Sequence, residues 1–340
     1  MPEYELGEVV FGSREAIHAA FADFLKQPID EERLAANRND PFGGVRRTLT
    51  KEVRVEDVGT FDGRRRQSLI FAPSERPGWW IRRTDLPAQL DTLVHVQNLW
   101  TSAHNLVLRS GAPSNYLRMV EHIVALKAGL GIDNVLVKVG SGDPPLFDRS
   151  SLPLVEAMDE ARAVATAVPA SYVTVKRPVV FGGKGGQFLA FMPAAEGERN
   201  LRIDCAIRWN SCISEERVRF DVTEETFRHA AIARTNCTRN QYWAALTVGK
   251  LFAATRHWGY TRENILIHGK HGYHNPPRLK VGEKFLEPVW HRATLDLMAA
   301  LSLTGADRFC GTVLSYRAGH TLDCDAVRAL YRHDLLKELA

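Results

Sequence analysis

Glu121 and His122 stand side by side at the head of the stretch EHIVALKAGLGIDNVLV, and they are a place where chemistry could start. A carboxylate can move a proton and an imidazole can ligate a metal. The apolar residues Ile123, Leu126 and Leu130 recur at three- and four-residue spacing, which predicts a helix with one buried stripe and puts the Glu-His pair on its first turn. Two other stretches offer partners. WHRATLDLMAALSLTG carries His291 and Asp296 on a second expected helix, and SYRAGHTLD sets His320 in a Gly-flanked turn after a strand, where a side chain can project into a cleft. A zinc hydrolase needs three protein ligands and an open fourth position. It also needs a carboxylate to take a proton from water and an acid to serve the oxyanion and the leaving amine. These five residues supply nearly all of those parts. Taken alone, a Glu-His pair is more often an ordinary part of a solvated helix face.

The elements that must carry these residues follow from periodicity. Residues 1 to about 44 read as an attached segment: a helical pattern from Ser13 to Leu25, with Ser13 as N-cap, then the polar stretch Asp30 to Asp40 and a hinge at Pro41-Phe42-Gly43-Gly44. From Val45 the pattern alternates. A hairpin turning at Phe61-Asp62-Gly63, strands at Gln67–Phe71 and Trp79–Arg83, and a further strand at Asn105–Arg109 lead to the helix opened by Glu121. Gly129 and Gly131 stop that helix, the run Ile132 to Val139 reads as a strand, and a helix is expected from Leu154 to Ala167.

A second unit of similar order starts at Pro169. Strands are expected at Tyr172–Phe181, Gln187–Phe191, Leu201–Arg208 and Val218–Asp221. Helical patterns follow at Thr223–Ala233, Gln241–Thr255, about Glu287–Leu303 and about Cys324–Leu336, with a strand at Gly311–Tyr316 before the last. FGGKGGQF joins two strands instead of opening a helix, so it does not read as a phosphate loop. Strands followed by helices, twice over, predict an α+β fold of two similar domains, 45–168 and 169–340, behind an extension of residues 1–44.

Composition excludes several classes. The chain has 340 residues, 45% of them hydrophobic and 25% charged, enough to bury a large interior and unlike a disordered chain. A formal charge of +4 suits an anionic small molecule or a membrane surface, but the densest basic cluster, Arg64-Arg65-Arg66, lacks the aromatic interleaving of a nucleic-acid interface. Five cysteines without CxxC spacing indicate neither a disulfide framework nor a cysteine-held zinc. With no basic, apolar N-terminal leader and no run of about eighteen apolar residues, the expected compartment is the cytoplasm. The tryptophans Trp79, Trp80, Trp243, Trp258 and Trp290 read as core or cleft lining.

Several ordered motifs resemble one family. RRTLTKEV with VGTFDG, IRRTDLP, EHIVALKAGLGIDNV, PLFDRSSLPLV, ARTN and YRAGHTLD, spread over roughly Arg46 to Leu330, resemble the UDP-3-O-acyl-N-acetylglucosamine deacetylases, the zinc enzymes of lipid A biosynthesis. The resemblance implies α+β layers with helices packed between two sheets. It implies a cleft in which Glu121 is the general base, His122 and Asp296 hold zinc (or ferrous iron in its place), His320 stabilises the oxyanion, and Thr235 faces the tetrahedral intermediate. The implied substrate is an acylated N-acetyl amino sugar, with membrane contact at most peripheral.

The chain departs from the family pattern at one zinc-ligand position. Four residues before Asp296, where the family has a histidine, stands Arg292, a group that cannot ligate a cation. His291 is one residue too early: at about 100° per residue, an i, i+5 pair on an α-helix diverges by roughly 140°. Either a helix irregularity brings His291 round, another histidine substitutes, or the site is degraded, holds no metal, and the chain is a catalytically silent relative that binds an anionic or acyl ligand. The spare histidines His268, His271 and His274 fall in the expected acyl-passage insert. Ala293 and Ala300 stand where the family has a diphosphate-contacting lysine and an aspartate supporting the catalytic histidine, and Asn236 and Gln241 also differ from it.

Overall fold

The computed structural model describes residues 4–61, 65–88, 90–247 and 260–339. The expected turn at Asp62-Gly63, Arg64, the end of the helical pattern begun at Gln241, and Trp258 lie outside them.

The smaller of the two main sheets has five strands in the spatial order Val53–Val58, Arg66–Pro73, Val135–Val139, Trp79–Arg83 and Asp91–Leu93. Its central strand runs antiparallel to Arg66–Pro73 and parallel to Trp79–Arg83. The alternation of Val135, Val137 and Val139 with Leu136 and Lys138 is the cause: the first three are buried, and the other two face outward to intermediate exposure. The helix before this strand, Glu121–Leu130, ends where Gly131 takes a left-handed conformation (φ 58°, ψ 36°). Glycine is required there twice over, because a Cβ would also sit 2.1 Å from the ring of Phe42.

The larger sheet has seven strands: Glu8–Phe11, Val179–Gly182, Phe188–Met192, Gly311–Tyr316, Leu201–Trp209, Ser214–Asp221 and Glu31–Arg33. Both edge strands come from the first 44 residues, and each pairs in parallel with its neighbour. Between them in sequence lies the helix Arg14–Lys26, capped by the Ser13 hydroxyl on the Ala16 amide at 3.3 Å. It lays Ile17, Ala20 and Phe24 on Val180, Phe188, Ala190, Ala206, Leu314 and Tyr316, a separate apolar cluster on the outer face of this sheet.

A single continuous core joins the inner faces. It runs from Leu69, Phe71 and Val137 through Ile123, Leu126, Val289 and Leu297 to Ile203, Val218 and Val313. Helix Glu121–Leu130 packs directly on the helix spanning residues 287–301. The fold is α+β, as the element order predicts.

Several expected elements differ. The last helix, expected at about Cys324–Leu336, spans His320–Arg332, so that His320 is its first residue, and Leu336 opens a strand, Leu336–Leu339. The helix expected at Leu154–Ala167 spans Leu152–Ala161 and gives way at Arg162 (φ 51°) to a strand, Ala163–Pro169, paired with Val45–Leu49. Val164, Thr166 and Val168 put a β-branched residue at every second position there, which favours the extended chain. The expected strand Tyr172–Phe181 is two strands in two sheets, Tyr172–Val175 and Val179–Gly182. Between them Pro178 brings a residue with no N–H for a ladder.

Candidate active site

Glu121 opens its helix without a side-chain cap, and it is buried, 4% exposed. Its Oε2 accepts from the Leu106 amide at 3.1 Å. Burial raises its pKa to about 6; the charge of His320 and backbone hydrogen bonds oppose that shift, and Asp296 adds to it. His122 is held from behind. Its Nδ1 faces the hydroxyls of Ser151 at 3.2 Å and Ser150 at 3.5 Å, and Ser150 gives its own proton to the Ala233 carbonyl at 2.6 Å. An Nδ1–H donated to those oxygens leaves the Nε2 lone pair pointing into the cleft. Burial, with His291 next, lowers the His122 pKa to about 3, so the ring is neutral, the form that ligates metals.

His291 reaches the same cleft through an irregularity in its helix. Residues Glu287–His291 are α-helical, Arg292–Leu297 are π-helical, and Met298–Leu301 return to α. A π-turn closes its hydrogen bonds five residues apart and absorbs one extra residue, so positions i and i+5 share a face. His291 Nδ1 accordingly lies 3.5 Å from Asp296 Oδ1. The divergence expected from α-helical spacing does not occur, because the spacing is not α-helical. Burial lowers the pKa of His291 as well.

Arg292 turns to the other side of the helix. Its Nε donates to the Ala318 carbonyl at 2.9 Å, and its Nη2 to Asp323 Oδ1 at 2.5 Å and to the Ser315 hydroxyl at 3.3 Å. The cation expected to obstruct the ligand position is therefore engaged elsewhere.

Thr235 stands between the two imidazoles. Its hydroxyl is 3.1 Å from His122 Nε2 and 3.1 Å from His291 Nε2, and the ring centroids are 5.4 Å apart. Its neighbour Arg234 donates to Glu287 through its amide at 2.9 Å, Nε at 2.7 Å and Nη2 at 3.1 Å, which ties the Thr235 turn to the start of the His291 helix. His320 closes the group, its Nε2 3.5 Å from Asp296 Oδ1. Burial works against the charge of His320, but Asp296, Glu121 and Asp323 outweigh it and hold its pKa above the usual imidazole value. Burial also opposes ionisation of Asp296, and His320, His291 and Arg292 together keep its pKa below the usual carboxylate value.

Among the described residues no three His, Cys, Asp or Glu side chains are drawn together into a preformed metal cage. The donor chemistry nevertheless fits a divalent cation. Two neutral imidazoles aim Nε2 at one hydroxyl that has a single proton to give. Asp296 Oδ1 is buried with no hydrogen-bond partner, the two imidazoles standing 3.5 Å away. His2Asp is a ligand set that zinc takes.

The structure brings Glu121, His122, Thr235, His291, Asp296 and His320 together. It does not bring the spare histidines there. His268 pairs with Thr238 at the far end of the short ladder whose near end pairs Thr235 with Ile265, and its ring stacks on Trp209 at 5.9 Å. Gln241 serves its own helix, in a capping box with Thr238. Ala293 and Ala300 are core residues. Sequence reading missed Ser150 and Ser151 behind His122, the Arg234–Glu287 tie, and Asp323. The serines do lie in a noted motif, PLFDRSSLPLV, but no spacing rule points from them to His122.

The sequence model of the family described as UDP-3-O-acyl N-acetylglycosamine deacetylase matches residues 46–332. Proteins named UDP-3-O-acyl-N-acetylglucosamine deacetylase from Brucella ovis and Brucella canis are each 26% identical to this chain over 302 residues, 88% of this chain and 99% of theirs. A Brucella melitensis protein of the same name matches to the same extent. All six cleft residues lie inside the matched span, which begins just after the segment that supplies both edges of the larger sheet. The chain belongs to the UDP-3-O-acyl N-acetylglycosamine deacetylase family.

Proposed function

We propose that this chain is a metal-dependent amide hydrolase that removes the acetyl group from an acylated N-acetyl amino sugar of the kind named in its relatives. One observation carries the reading: a buried carboxyl, two neutral imidazoles, an unpartnered carboxylate oxygen and a third, charge-favoured imidazole converge on a single cleft.

His122, His291 and Asp296 would hold zinc, or ferrous iron in its place. When bound, the ion supplies Lewis acidity towards an amide carbonyl and makes water a better nucleophile. Glu121, with a pKa near 6, takes the proton from the attacking water. His320, whose charged form Asp296, Glu121 and Asp323 favour, donates to the developing oxyanion and delivers a proton to the leaving amine. Thr235 releases the imidazoles when they are engaged, and its hydroxyl is then free to donate to the intermediate. On this reading the enzyme works in the cytoplasm, and its contact with a membrane is peripheral; no described helix is long and apolar enough to cross a bilayer. The silent-relative alternative loses its motive, because Arg292 is committed to Asp323 and Ala318.

Metal analysis of protein purified without chelator tests the first half. An equivalent of zinc or iron is expected, and less than about a tenth would sink the reading. Glu121→Ala should then abolish release of acetate from UDP-3-O-acyl-N-acetylglucosamine while the metal stays bound; unchanged turnover would remove the general-base assignment.

A further inference from the structure

The turn that carries His320 is held by little of its own. Gly319 is the N-cap of the helix His320–Arg332 and offers no side-chain cap, and Arg317 just before it sits at φ 53°. A glycine beside the reacting imidazole would leave the ring free to wander. Besides the Arg317 amide on the Ala206 carbonyl at 2.9 Å, two side-chain ties restrain it from outside. One is the Thr321 hydroxyl on the Ser102 carbonyl at 3.3 Å. The other is Arg292, whose guanidinium bonds Ala318 on one side of the turn and Asp323 on the other.

We propose that Arg292 is a positioning residue for His320: its planar guanidinium clamps the chain on both sides of Gly319 and fixes where the His320 ring stands over the cleft. The clamp exists because of the extra residue between His291 and Asp296. The π-turn gives the metal face to His291 and sends the next side chain to the opposite face, under the 318–323 turn. Stability alone does not call for this pair. The Arg292 side chain is 4% exposed and Asp323 fully buried, and a buried ion pair is commonly matched or bettered by apolar residues of the same volume. What a guanidinium adds is geometry, several donors in one rigid plane aimed at fixed acceptors. Within the pair, Arg292 Nη1 and Asp323 Oδ2 have no hydrogen-bond partner of their own.

The proposal rests on the hydrolase reading only in acting through His320, and the test separates the two. Removing Arg292 alone strands a buried carboxylate, so the decisive variant is the paired Arg292→Met with Asp323→Leu, compared with Arg292→Lys and wild type as full chains carrying zinc. With UDP-3-O-acyl-N-acetylglucosamine as substrate, the paired variant should lose about 100-fold in kcat, the scale of a 1 Å misplacement, while KM and bound zinc stay within about two-fold and the basic limb of the pH–rate profile stays in place; a loss due instead to the missing charge of Asp323 on His320 would move that limb to lower pH. Arg292→Lys, which can reach one acceptor but not hold the plane, should recover part of that loss. Hydrogen exchange in the 316–324 segment should quicken in the paired variant and elsewhere stay the same. An unchanged kcat, a raised KM with kcat kept, or loss of zinc in step with activity would each overturn the proposal. If the wild-type chain turns over no substrate, the hydrolase reading falls and exchange decides the clamp: faster exchange confined to 316–324 upholds it, and unchanged exchange removes it.

Discussion

Glu121 and Lys127 lie on the same buried helix, and burial does opposite things to them. Desolvation favours the neutral form of each, so it raises the carboxyl to about 6 and lowers the ammonium to about 8. In the proposed role of general base this is useful to Glu121. A base with a pKa near 6 is ionised at neutral pH yet holds a proton well enough to take one from water, and kcat/KM should fall about tenfold per unit as pH drops below about 6. A pH–rate profile whose acid limb lies near 4 would mean that the carboxyl acting as base is a solvated one. For Lys127 burial is a liability. Its Nζ finds the Asp307 carbonyl at 3.2 Å, while Asp133 and Asp307 only partly offset the burial. Because the folded pKa is below the unfolded value, the unfolded chain binds more protons between about pH 8 and 10.5, and stability should rise with pH across that window. Lys127→Met should remove the rise and stabilise the protein at pH 7 by roughly 1–3 kcal/mol, read from urea unfolding at pH 7 and pH 10. A variant less stable at pH 7 would show that the ammonium has stronger partners than the carbonyl.

The helix of residues 287–301 carries one residue more than an α-helical His-Asp pair needs, and its π-turn accommodates the surplus. The Thr294 hydroxyl donates to the Trp290 carbonyl at 2.6 Å, satisfying an acceptor at the mouth of the wide turn. Deleting Thr294 should therefore let the helix close in α register with His291 and Asp296 four residues apart on one face. On the proposed metal-dependent reading, the expected result is a folded protein that binds one equivalent of zinc as the wild type would, checked by melting temperature and metal content. Loss of zinc with the fold intact would show that the wide turn itself sets the ligand geometry. This element also marks the limit of what the sequence disclosed. That Glu121, His122, Asp296 and His320 would meet in one cleft was legible because local pattern and family motifs both point to them. The place of His291 was not, since counting at 100° per residue presumes an α-helix and a π-turn has no distinct propensity signature. Ser150, Ser151 and Asp323 were illegible for another reason: their partners lie on other elements, and only the packed fold brings them together. The α+β order was readable from strands followed by helices. The split at Pro178 and the short helix ending at Arg162 were not, because tertiary pairing decided them.

Across the whole molecule, the first 44 residues do structural work that their sequence only half announces. The helix pattern from Ser13 is plain, but Glu31–Arg33 gives little sign of closing a sheet. Phe24 fills the outer cluster edge-on to Phe188, with ring centroids 5.6 Å apart, and is fully buried. Phe24→Ala should destabilise the protein by about 3–5 kcal/mol in denaturant unfolding. It should leave zinc content unchanged, since the helix lies on the face of the larger sheet away from the shared core. An equal loss of zinc would mean that the outer cluster and the cleft are one cooperative unit.

The two edge strands have a further consequence for how the chain comes into being. Glu8 pairs with Val179 and Glu31 with Val218, so these residues leave a ribosome well before the residues they pair with. At about 5–20 residues per second, that is a wait of roughly 10–40 s. During this time the apolar face of Arg14–Lys26 has nothing to cover, and long-range pairings of this kind are slow to form. The segment thus docks only on strands made much later than itself, and overproduction should tax chaperone capacity before those strands emerge.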